Sequence, residues 1–526
     1  MTDKKNILII TILFILISIF FYLKTGNFLI DFSRESYIPY QLKENKTLIK
    51  DIFLIYGAFG YIINSILYSI KINLNLLIIE AHIISYLICI LFYFILNKFF
   101  AKKLSCVLTI IFLLTSIFSN STFSFVLPYS YSTLWGVFGA YLALFSLLYS
   151  KNKLLFLSLG LIFVSKIEYF IPIFLISIFY LIYRKEKLTK DWLFILIFPS
   201  FCLIYFLINK IEFIDIQKNF FYIKEMLKSN SLSYLYKGLG CYFNFDYFKY
   251  NLLLTIKTFF IFLISFILYK FKKPICSYIA LIILLCFINT NFAFNLAGFL
   301  AIILTILNIR KKTITKEEIL LFAFSITLCS KSIFATNSLN YANFGYCLII
   351  YYIYLQIQKN IDKKWLINSL ILFFILNFMG NLGYFLTNKK EKFKTVIGNL
   401  YINKNEIKLF KSTNKFIEKN IKQNETFIVL PEGQIFNLIH KKPYNYYNST
   451  FTPLDFETFK EENMIKNLQK NKTDYIIFYP RNTQDYGKNT ICYDYAVDFC
   501  KYIIDNYRQV ANIKDGNNVL IFKIKK

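Results

Sequence analysis

Histidine is nearly missing from this chain, with 2 residues in 526, so a histidine-based metal centre or a Ser-His triad has almost nothing to be built from. There is no Cys-x-x-Cys pair, no Walker loop and no Gly-x-Gly-x-x-Gly, which removes the common zinc modules and the Gly-rich phosphate cradles. Glycine (16) and proline (9) are also scarce, few of them fall in the middle of an apolar run, and no internal repeat is visible. Membrane transporters and flippases usually show repeats and spans broken by Gly or Pro, so they are the less favoured class. A membrane polymerase or ligase is a nearer class, but it would be expected to carry a long, Arg-rich late outer loop, and the candidate at 331–343 is short.

What the chain has in excess is apolar and aromatic. It is 56% hydrophobic and 20% aromatic, with a mean hydropathy of +0.49, the composition of a polytopic helical membrane protein. A net charge of +29 would suggest a nucleic-acid partner in a soluble chain; here the charge sits between apolar runs, and membrane lipids rather than nucleic acid are the partner it implies. The abundance of Lys, Asn and Ile beside little Gly and Pro points to an AT-rich bacterial source. Reading the apolar runs as helices of about 17–22 residues gives about thirteen spans. They lie near 7–23, 77–96, 104–119, 133–149, 154–168, 169–183, 192–208, 252–269, 275–290, 294–309, 319–334, 344–358 and 366–386.

Lys and Arg fill alternate gaps: Lys98, Lys102 and Lys103; Lys151 and Lys153; Arg184 to Lys190; Lys270 to Lys273; Arg310 to Lys316; Lys359 to Lys364. The positive-inside rule then makes the N-terminus cytoplasmic and puts everything after about 386 outside the cytoplasmic membrane, in the periplasm. Lys4 and Lys5 before an apolar core also fit a signal peptide, but no small-x-small cleavage site follows, so the run reads as an anchor. Reporter fusions after Lys103, Lys190 and Lys312 are expected to be cytoplasmic, and one after Asn388 periplasmic; a cytoplasmic tail would contradict this topology.

Two outer regions carry polar chemistry. The first outer loop, 24–76, holds "DFSRESYIPYQLKENKTLIKDIFLIYGAFGYIIN". A helical turn from Asp31 to Glu35 would put both carboxylates on one face with Arg34 adjacent, and Pro39 would end that turn. Asp51 and Tyr56 follow, and 57–72 reads as a helix lying along the membrane surface. A carboxylate pair such as Asp31 and Glu35 could hold a divalent cation, although no metal site is expected. The second region, 387–526, reads as a soluble α/β domain, with "ETFIVLPEG" and "TDYIIFYP" as buried strands and "FKEENMIKNLQKN" and "YDYAVDFCKYIIDNY" as helices. Cys492 and Cys500 lie there eight residues apart, a spacing that suits a staple formed in an oxidising compartment as well as two unrelated thiols.

The first-loop segment resembles the first outer loop of the GT-C membrane glycosyltransferases, the group that includes dolichyl-phosphate-mannose protein mannosyltransferases and bacterial lipid A aminoarabinose transferases. Asp31 matches that loop's acidic residue and Tyr56-Gly57-Ala58 its later element; Ala58 stands where proline is usual, and Phe32 where a second acid is common. "SFVLPYSYSTLWG" resembles a second outer loop of related bacterial members, and "SKSIFATNSLNYANFGY" the late element that places Lys331 at the lipid phosphate. The resemblance implies a transmembrane domain over 1–386 that transfers a monosaccharide, with inversion, from a polyprenyl-phosphate sugar to a lipid, glycan or protein acceptor. Asp31 would be the base or would orient the acceptor hydroxyl; Lys331, Arg34 and Lys166 would offset the phosphate charge, and Glu35, Asp51 and Tyr56 would line the acceptor site. No cofactor is implied beyond that divalent cation.

Overall fold

The long apolar runs fold as helices because only a helix satisfies its own backbone where water is absent. A computed structural model describes residues 3–22, 27–186, 190–286, 294–359, 362–387 and 389–525. The expected span ends at 23 and 290, the loop start at 24 and the fusion point Asn388 lie outside the described residues. The chain is mostly helical, and among the described residues six helices are long and apolar enough to cross a membrane: Asp3–Phe21, Leu74–Leu96, Tyr131–Leu148, Lys190–Ile208, Phe245–Lys270 and Lys363–Thr387. Shorter apolar helices stand among them, including Asn152–Ser165, Ile167–Tyr183, Pro274–Cys286, Ala297–Arg310 and Tyr346–Ile357. The outward faces of these helices stay apolar, as at Ile19, Phe179 and Leu207, which is the surface a bilayer covers.

The first outer loop folds as two helices, Asp31–Lys43 and Phe59–Ile70. Pro39 does not end the first of them, contrary to expectation. Its missing N–H leaves only the Glu35 carbonyl without its helical partner, and the helix runs on to Lys43. Phe59–Ile70 has the apolar stripe expected of a helix on a membrane surface, with Ile66 and Ile70 open and Phe59, Ile62 and Tyr61 packed inward.

The tail carries a hairpin, β1 (Lys390–Thr395) and β2 (Gly398–Asn403), and a four-stranded sheet of β3 (Phe427–Leu430), β4 (Tyr475–Phe478), β5 (Tyr507–Asp515) and β6 (Asn517–Ile524) in the order β3-β4-β6-β5. β3 and β4 are parallel, pairing Phe427 with Tyr475, and both other pairs are antiparallel. All four β3 residues are buried, as a covered parallel strand requires. Helices Ile435–Ile439, Pro453–Phe459 and Glu461–Asn471 make the crossover from β3 to β4.

This domain is docked on the first loop through backbone atoms. The Ile435 N–H donates to Ser33 Oγ (2.6 Å), Tyr37 Oη to the Lys442 carbonyl (2.6 Å), Gln41 Nε2 to the Tyr444 carbonyl (2.9 Å) and the Phe53 N–H to the Tyr447 carbonyl (2.8 Å). Segment 209–250 is largely helical, and its Tyr222 ring packs on Tyr447 and Phe459, so this aromatic residue serves tail docking. Cys492 and Cys500 are joined in a disulfide, with their Cα atoms 5.4 Å apart. Thiol labelling of the native protein is expected to find both blocked until a reductant is added; two labelled thiols before reduction would contradict the bridge.

Candidate functional site

Three chain segments meet at Tyr56. The helices Asn152–Ser165 and Ile167–Tyr183 are separated by a single residue, Lys166, whose extended backbone (φ −149°, ψ 89°) breaks the helical ladder. The Gly57 N–H donates to the Ser165 carbonyl at this break (3.1 Å), and a Cβ on Gly57 would lie 2.1 Å from the Val164 carbonyl oxygen. Only glycine allows that approach, which explains why the loop carries Tyr-Gly here. Gly136 plays the same part for the lysine stem, since a Cβ there would lie 2.6 Å from Lys166 Cβ.

The chain so arranged gathers cations around one ring. Lys166, only 2% exposed, holds its Nζ 4.1 Å above the Tyr56 ring, and the Arg34 guanidinium carbon lies 5.9 Å from the same centroid. Lys166 Nζ is 3.4 Å from Glu168 Oε2, and Lys331 Nζ reaches that same oxygen at 2.8 Å. Lys331 also donates to Tyr236 Oη (3.1 Å) and faces the Tyr341 ring at 4.9 Å. Two ammonium groups from distant parts of the chain thus share one carboxylate oxygen, and that carboxylate is 41% open. Burial raises the Tyr56 phenol far above its usual range, while the Arg34 and Lys331 charges act against that rise.

On the first-loop helix, Arg34 contacts both neighbouring acids, at 3.4 Å to Asp31 Oδ1 and 3.4 Å to Glu35 Oε1. It also donates to the Tyr129 carbonyl at 3.3 Å. The Arg34 guanidinium thus contacts both of the carboxylates between which the sequence reading allowed a divalent ion. No group of three or more His, Cys, Asp or Glu that could hold a metal occurs among the described residues.

The two acids differ sharply. Glu35 is completely buried and accepts from Tyr61 Oη (2.7 Å) and the Tyr131 N–H (2.9 Å), tying the first loop to the helix that begins at Tyr131. It therefore holds the site together and does not line it, a correction to the sequence reading. Asp31 keeps 39% of its side chain open while the surrounding protein pushes its pKa up; the charges of Arg34 and Arg481 oppose that push and Asp485 adds to it. Asp51 is spent locally: its Oδ2 accepts the Thr47 N–H at 2.9 Å and closes a turn, so it too does not join the cluster.

The tail contributes residues that the sequence reading missed. β3 and β4 each end in a proline followed by a charged residue, Pro431-Glu432 and Pro480-Arg481, and their parallel pairing sets those ends side by side. Arg481 Nε then donates to Glu432 Oε2 (2.9 Å) and its Nη2 to Asp485 Oδ2 (2.9 Å). Burial pushes Glu432 up to about 7 against the pull of Arg481, with the Asp31 charge adding to the rise. The pairing of Lys166 with Glu168 is legible in the run "SKIE"; that Lys331 shares the same carboxylate is not. Comparison of the chain with protein-family models and with curated proteins found no match.

Proposed function

We propose that this protein is a membrane glycosyltransferase that moves a monosaccharide from a polyprenyl-phosphate donor to a lipid, glycan or protein acceptor at the outer face of the bacterial cytoplasmic membrane. In this reading its shorter helices complete about thirteen spans and the α/β tail is periplasmic. The observation that supports it most is the convergence of Lys166 and Lys331 on a single, partly open carboxylate oxygen beside Tyr56, with Arg34 on the same ring and Asp31 adjoining.

The chemistry follows from the charges. An acceptor hydroxyl attacks the anomeric carbon, the bond from that carbon to the phosphate oxygen breaks, and the phosphate departs with the electron pair. Asp31 takes the hydroxyl proton; a carboxylate whose pKa is raised by its surroundings is a stronger base for that step than a free one. The growing phosphate charge displaces Glu168 and takes over its two lysines, so the cations are already in place before the bond breaks. One displacement at the anomeric carbon gives inversion.

Lys331→Ala removes one of the two ammonium groups while Glu168 keeps the other. It is expected to raise the KM for the polyprenyl-phosphate sugar by roughly ten- to a hundredfold, the worth of one charge-assisted contact. Lys228→Ala serves as the control: that lysine is 59% exposed and paired with its neighbour Glu225, and its loss should change nothing measurable. Equal KM values for wild type and Lys331→Ala in a donor titration would remove the phosphate from this position.

A further inference from the structure

The tail domain holds a cavity of about 1090 Å³, at the upper end of the size range of small-molecule sites. It lies at the carboxyl ends of the parallel strands β3 and β4, where open α/β sheets place their ligands. Its lining is rich in one side-chain type: Asn27, Asn405, Asn482, Asn489, Asn517 and Asn518. Each carboxamide both donates and accepts hydrogen bonds, which matches the hydroxyl groups of a sugar, themselves both donors and acceptors. Phe478, Tyr479 and Tyr493 add rings whose faces suit the C–H faces of pyranoses. Aliphatic side chains such as Leu409, Ile491, Ile503 and Leu520 make up much of the remaining wall, and its cations are Lys501 and Arg481, the latter paired with Glu432.

The cavity borders the Asp31 end of the first-loop helix. Leu29 and Ile30, which line it, immediately precede Asp31, and Glu432 and Arg481 line it from the tail side. The Cys492–Cys500 bridge forms part of the wall, holding the loop that carries Tyr493 beside the sheet.

We infer that this cavity is a glycan-binding subsite: the tail domain holds a neutral oligosaccharide of more than one unit and presents its end to Asp31. The inference deepens the proposed transferase reading by naming the acceptor as a glycan, and it assigns the tail a recognition role.

A photo-crosslinking residue, p-benzoylphenylalanine, tests this in cells carrying the full-length protein. Tyr493 is 83% exposed and lies outside the charged cluster, so Tyr493→p-benzoylphenylalanine keeps an aromatic ring at the proposed subsite and spares the charged residues. Irradiation is expected to give an adduct whose added mass is cut down by periodate oxidation of its vicinal diols followed by borohydride reduction and mild acid, and not by protease. The same residue at Val396, 77% exposed on the β1–β2 turn and not part of the cavity lining, is the background control. Adding Ile504→Trp, which narrows the cavity from an exposed wall position, should lower adduct yield by roughly tenfold.

An adduct that is protein or phospholipid, a yield no higher than at Val396, or a yield indifferent to Ile504→Trp would overturn the subsite. The two readings fail separately. A glycan adduct in a protein whose Asp31→Asn variant behaves as wild type keeps the subsite and removes the transferase; absence of the adduct beside an Asp31-dependent transfer does the reverse.

Discussion

Asp31→Asn is expected to lower sugar transfer by about 10²–10⁴-fold, the usual worth of a positioned general base, while leaving the protein folded and inserted. The side chain is 39% open and makes one contact at 3.4 Å with Arg34, so exchanging its charge for an amide of the same shape disturbs little packing. Arg34 retains Glu35 and the Tyr129 carbonyl, and stays in place. The loss should appear in kcat, with donor KM nearly unchanged, because the interaction removed is made with the acceptor proton in the transition state. Measured transfer by equal amounts of wild type and variant in lipid nanodiscs checks this; comparable rates would show that Asp31 is not the base.

Four residues along the same helix, the opposite outcome is expected. Glu35→Ala removes a fully buried carboxylate and leaves the Tyr61 hydroxyl, the Tyr131 N–H and the Arg34 guanidinium without their acceptor. Breaking a buried pair by taking away one partner costs about 3–5 kcal/mol. The loss falls where the first loop meets the helix starting at Tyr131, so yield and thermal midpoint should drop along with activity. Fluorescence-detected size exclusion on heated, detergent-solubilised samples reads this directly. A Glu35→Ala protein as stable as wild type but inactive would make Glu35 a participant in the chemistry and not a support.

The contrast between these two acids shows where sequence reading works and where it stops. Helical spacing correctly set Asp31, Arg34 and Glu35 together, because local period is a property of the chain alone. Which acid faces solvent depends on Tyr61 and Tyr131, brought in by tertiary packing, and no local pattern reveals that. The break at Lys166 was legible as two short apolar runs meeting at "SKIE", whereas its partner Lys331 lies 165 positions away and meets it through Glu168 alone.

In the tail, β3 and β4 were legible as apolar runs ending in Pro or Gly, and the helix Glu461–Asn471 as a periodic stretch. The β1–β2 hairpin and the long β5 were not: β1 is Lys-rich, and β5 is exposed along most of its length, so neither carries an apolar signal. The pairing of Glu432 with Arg481 depends on β3 and β4 being neighbours and parallel, a matter of topology across a crossover of more than forty residues.

The central claim is that a lipid-phosphate sugar is consumed at the Tyr56 cluster, and the most direct measurement is mass spectrometry of the lipid extract from a strain lacking this gene. The account predicts that one polyprenyl-phosphate sugar accumulates in that strain, falls to the parental level when the wild-type protein is restored, and stays high when Asp31→Asn is supplied at equal expression. An unchanged set of polyprenyl-phosphate sugars, or full correction by Asp31→Asn, would contradict it.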